Sequence, residues 1–199
     1  QIIQNLNNAS NEINNIHQMV DKKEIPFDVA LVKFTELKEQ LIKFRPTVNQ
    51  IHQEGNSLIK DDFNDMINVQ EILLVLDKEY GNLNEACDDA VQNYTLLSKA
   101  TADHARLIEK VINDIKNIPL IDERKVLVNQ VAKPIVDANL GNLKTQLEHL
   151  RKLKIQVDEV DRKGNEVVKF CENIRRQPPI LQPQIQEAKN LWSEAHEKI

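Results

Sequence analysis

Turn-forming residues are scarce: 4 glycines and 7 prolines stand among 199 residues, about half the usual share. An all-β fold needs a turn every ~8–12 residues, so that class is excluded. A basic excess is missing as well. Lys and Arg number 26 against 31 Asp and Glu, for a net charge of −5, which argues against a protein that neutralises phosphates along a basic face. No run approaches the ~20 consecutive apolar residues of a membrane span. Residues 1–20 have neither the basic start nor the apolar stretch of a signal peptide. The two cysteines, Cys87 and Cys171, are too few for a disulfide framework and too distant in sequence for a redox pair. They read as small core side chains in a reducing cytosol. Two sequons, Asn8-Ala9-Ser10 and Asn93-Tyr94-Thr95, fall inside helical patterns and read as chance matches.

Chemistry-bearing patterns are equally thin. The glycines, at 55, 81, 141 and 164, are too scattered to cradle a phosphate. The histidines, at 17, 52, 104, 149 and 196, include no pair at helical metal spacing. No Glu precedes a His by three residues, which removes the bundle di-iron arrangement. No Gly-x-Ser-x-Gly elbow occurs. The sequence therefore predicts no catalytic residue, no metal site and no cofactor. With 29% charged and 41% hydrophobic residues, it is also too apolar for wholesale disorder.

What is abundant is apolar residues at alternating steps of three and four, the spacing that lays one stripe along a helix. A first series runs Ile2, Leu6, Ala9, Ile13, Ile16, Val20. A second runs Ala30, Phe34, Leu37, Leu41, Phe44, Val48, Ile51, Gly55, Leu58, with Pro26 suited to its first turn. A third starts at Val69 and holds its register through Leu97, Thr101 and His104 to Ile118. Those fifty residues would make a helix of roughly 75 Å. Pro119 predicts a kink, 123–132 a helical continuation, and Pro134 with 137–141 a second interruption. A further stripe runs from Leu140 to Val167, and a last short helix carries Ile185, Ala188 and Trp192.

The helices repeat. Val48, Ile51, Gly55 and Leu58 reappear 109 positions later as Val157, Val160, Gly164 and Val167. Tyr80 corresponds to Trp192, 112 positions on. Three amphipathic helices per repeat, a middle helix ending Gly-x-x-Leu, and an aromatic in the third helix together resemble the spectrin-repeat family. The segment 190–199 is similar to third helices of giant cytoskeletal linkers of the spectraplakin, plakin and nesprin type. Ile13 stands near the place of that family's first-helix tryptophan.

The resemblance implies an all-α fold of tandem left-handed three-helix coiled-coil bundles joined by a continuous helix. Residues 1–98 would form one repeat, its first helix truncated at the start; 99–199 would form a second, its third helix truncated at the end. It implies a cytoplasmic, cytoskeleton-associated rod segment, with attachment at the nuclear envelope or cell junctions. Actin, microtubule or other scaffold partners would be engaged through other parts of a longer chain. A different reading is an adaptor module like the vinculin and talin bundles. Arg151, Lys152, Lys154, Arg162 and Lys163 form its candidate docking surface for an acidic partner or a membrane surface. The plainer account of the same residues is a solvated face paired to Glu148, Asp158 and Glu159. Gly55, Gly81 and Gly164 read as close helix contacts. His104 is expected to be partly exposed. Tyr94 is an aromatic whose exposure would favour a peptide-binding groove, although its stripe position favours burial.

Overall fold

The computed structural model describes residues 2–61, 66–118 and 133–198. Among these the chain is all-α, with helices α1 (Ile2–Asp21), α2 (Phe27–Asp61), α3 (Met66–Lys116), α4 (Lys133–Asn173) and α5 (Gln182–Glu197). The predicted stripes become buried faces: Leu6, Ala9, Ile13, Ile16 and Val20 of α1 are all buried. The third series lies on α3, one 51-residue helix without a break.

Helices α1 and α4 stop in the same way. Lys23 (φ 62) and Arg175 (φ 56) adopt the left-handed conformation. The amides of Glu24 and Arg176 reach back to the carbonyls of Met19 and Cys171 at 2.8 Å. This is the Schellman ending, built here on basic residues where glycine is usual.

Several expectations need correction. The Pro119 kink and the 123–132 continuation lie outside the described residues. No interruption occurs at Pro134 or over 137–141, where α4 is helical throughout. Pro134 is the second residue of the helix, where a missing N–H costs nothing. Helix α2 also runs through Pro46, which sits on its solvent side.

The stripes do not stay dry to their ends. On α2, Leu37 is 3% exposed, Phe44 and Ile51 are half-buried, and Leu58 is 58% exposed. Helix α1 has 20 residues against 35 in α2, roughly 30 Å against 52 Å. Leu140, near the start of the 41-residue α4, is 50% exposed.

Contacts divide the chain into two compact units. Unit 1 comprises Gln1–Lys99 with Cys171–Gln177, and unit 2 comprises Ala100–Phe170 with Pro178–Ile199. The segment 171–177, which the sequence division assigns to 99–199, thus groups with unit 1. Within unit 1, α1, α2 and α3 touch pairwise. His17 packs on Phe34, His17 meets Tyr94, and Tyr80 reaches Leu41.

The two units repeat each other in detail. In unit 1 the Tyr80 hydroxyl donates to the Leu41 carbonyl at 3.1 Å. In unit 2 the Trp192 indole N–H donates to the Leu150 carbonyl at 2.9 Å. The acceptors are 109 positions apart and the donors 112. A Cβ placed on Gly55 would lie 2.9 Å from Leu73 Cδ1, and one on Gly164 would lie 2.8 Å from Ile185 Cδ1. Leu73 and Ile185 are again 112 apart.

Gly81 differs, because a Cβ there would meet nothing within 4 Å. The close-contact reading therefore holds for Gly55 and Gly164 and fails for Gly81. Gly81→Ala should stabilise unit 1 by about 1 kcal/mol, the helix-propensity gain. Gly164→Ala should destabilise unit 2, because its methyl also meets His104 Nε2 at 3.0 Å. Urea melts of the two variants, read by circular dichroism, should shift in opposite directions.

Candidate functional site

The five basic residues lie on α4, and the helix neutralises most of them itself. Lys154 pairs with Asp158 and lies 5.5 Å from the centre of the Trp192 ring. Arg162 is held between Glu159 and Glu166, and Lys163 reaches Glu159 at 3.9 Å. The Arg162 hydrogen bond holds the Glu159 carboxyl below its usual range. Glu166 rather than Glu148 supplies the last partner. Arg151 and Lys152 remain, both exposed and without an ion pair among the described residues. Residues three and four apart on a helix meet, which is why this face largely satisfies its own charge.

A more enclosed arrangement is found in unit 1, and sequence reasoning did not single it out. Asn11, Asn14, Asn15 and Gln18 of α1 line a groove of about 480 Å³ together with His17, Asp21 and Arg176. At its floor His17 Nδ1 is hydrogen-bonded to the Tyr94 hydroxyl at 3.0 Å. The Phe34 ring lies 4.9 Å from His17 and 5.3 Å from Tyr94. Tyr94 is 1% exposed, a core residue as its stripe position favours, and not the exposed aromatic of a peptide-binding groove. Burial pushes its phenol up to about 12. Burial, followed by the nearby Arg176 guanidinium, lowers the His17 imidazole to about 4. The spacing of the amides at 11, 14, 15 and 18 was the available signal, since it places them on one helical face.

Unit 2 contains a fully buried histidine. His104 is 1% exposed, against the expectation of partial exposure. Its Nε2–H donates to the Val160 carbonyl at 3.0 Å, while Nδ1 is buried without a hydrogen-bond partner among the described residues. The space beside it exists because position 164 has no side chain. Burial depresses its pKa, Lys163 adds to the effect, and the Val160 bond opposes it.

Both thiols are buried, and burial raises each to about 11, which leaves them unreactive as nucleophiles at neutral pH. Among the described residues no three His, Cys, Asp or Glu side chains gather as metal ligands, and no helix is long and apolar enough to cross a membrane. The polar groups on these faces act chiefly to fix one helix against the next.

No family model matches the chain, and no solved structure matches it. Over 153 residues, 75% of its length, it is 32% identical to muscle-specific protein 300 kDa of Drosophila melanogaster. It spans 1% of that protein.

A pH effect follows for unit 2. The folded His104 binds its proton less readily than an unfolded one, so the unfolded state holds more protons below about pH 6.5. Stability contributed by the neutral ring is complete above that pH and is lost as the pH falls. Denaturant melts followed by Trp192, the single tryptophan, should show a lower midpoint at pH 5.5 than at 7.5. The difference should shrink in His104→Leu.

Proposed function

We propose that this chain is a structural segment of a long cytoskeletal polypeptide. Two spectrin-repeat-like three-helix bundles would act as a semi-rigid, load-bearing spacer that holds terminal actin-, microtubule- or membrane-attachment domains apart. The observation that carries the reading is α3, whose 51 helical residues belong to unit 1 up to Lys99 and to unit 2 from Ala100. Bending such a connector breaks backbone hydrogen bonds, whereas a Gly/Ser linker bends freely. The repeated aromatic-to-carbonyl ties at Leu41 and Leu150 support an internal duplication. The similarity to a small part of a far longer muscle-specific protein supports placement within a giant chain. A cytoplasmic, cytoskeleton-associated location accords with that reading.

Small-angle scattering tests the shape. Two bundles end to end, each ~30 helical residues long, give a maximum dimension on the order of 90 Å; a compact particle of roughly 50–60 Å refutes the spacer. Lys99→Pro tests the connector, because proline removes a backbone donor within α3. The variant should melt in two separated transitions where the parent shows coupled unfolding.

One observation favours a second reading, the adaptor. Arg151 and Lys152 are exposed on α4 without an ion pair among the described residues and would be available to an acidic partner. Reversing both charges should abolish saturable, sub-micromolar capture of such a partner if this surface is a docking site. Unchanged capture rejects it.

A further inference from the structure

Unit 1 is assembled from two stretches that are remote in sequence, and Asp21 joins them. Its Oδ2 accepts from Arg176 Nη1 at 3.0 Å, and its Oδ1 accepts from the Gln177 backbone N–H at 3.1 Å. Asp21 is the last residue of α1, where free helix carbonyls disfavour a carboxylate. A guanidinium at this place therefore answers the helix end as well as the side chain. The left-handed turn at Arg175 redirects the chain immediately before Arg176 and Gln177.

His17 lies one helical turn before Asp21 and lines the same groove as Arg176. The charged or titratable groups facing it are Asp21 from α1, the Tyr94 hydroxyl from α3 and Arg176 from the 171–177 stretch. Helix α2 contributes the Phe34 ring and no charge.

We propose that Cys171–Gln177 is a proton-released clip: a proton taken up by His17 sets a second cation against Arg176 in one groove and detaches the segment from α1. Neutral His17 is compatible with its half-buried place and with the guanidinium; charged His17 loses solvation there and is repelled by Arg176. Asp21 cannot serve the two cations equally, since both of its oxygens already accept from the clip.

The direction of the effect is set by the imidazole value of about 4 in the closed state, against the ordinary 6.5. The closed clip binds fewer protons, so it is fully favoured above pH 6.5 and weakens as the pH falls toward 4. If opening restores the ordinary value, the opening equilibrium rises about thirtyfold by pH 5.

Hydrogen exchange on the full chain, corrected for intrinsic rates, tests this. Between pH 7 and 5 the amides of Glu24, Arg176 and Gln177 should lose protection at least fivefold. In His17→Gln, which cannot gain charge, the loss should stay below twofold. A flat parent profile, or an equally steep one in His17→Gln, overturns the proposal. Should that variant fail to fold, nuclear magnetic resonance of the parent decides. The Gln177 amide shift must titrate together with the His17 ring, and a separate midpoint overturns the clip.

Discussion

A helix with one apolar stripe cannot dry that stripe by itself, and this constraint governs the structure. Leu41, Phe34 and Val160 are completely buried because neighbouring helices close over them, each full burial being worth about 1.5–3 kcal/mol. Burial alone leaves the register between helices loosely defined, since heptad-spaced stripes can slide past one another. The polar ties from Tyr80, His104 and Trp192 each reach a backbone carbonyl in the middle of another helix. A carbonyl has two lone pairs, so it can keep its helical partner and accept a second donor. A slip by a fraction of a turn would pull each donor off its carbonyl.

The charges behave otherwise. Three of the α4 cations, Lys154, Arg162 and Lys163, are satisfied by acids three or four residues away on the same helix, and exposed pairs of that kind add little to stability. Two pairs between elements, Arg176 with Asp21 and Lys189 with Asp161, are less exposed. These link separate elements and so bear on which elements stay together. The surface is polar for solvation; the few inward polar groups decide alignment.

The heptad stripes, the unbroken α3 and the Gly55–Gly164 and Tyr80–Trp192 correspondences were legible because each is a periodicity along one chain. Features that depend on what lies opposite were not legible. Leu58 carries the right residue at the right register, yet it is exposed. His104 is buried because Gly164 and Val160, sixty and fifty-six residues on, make room and accept its proton. The groove at His17 depends on Arg176, 155 residues beyond Asp21. The helix ends at Lys23 and Arg175 lacked the glycine that normally signals them.

The cysteines have a consequence of their own. Cys87 and Cys171 both fall within unit 1 and are fully covered, and the chain has no other thiol. An alkylating reagent can reach either sulfur only after the surrounding helices part. The rate of labelling is then a clock for the opening of that half of the molecule, available in the unmodified protein under stretch, heat or acid.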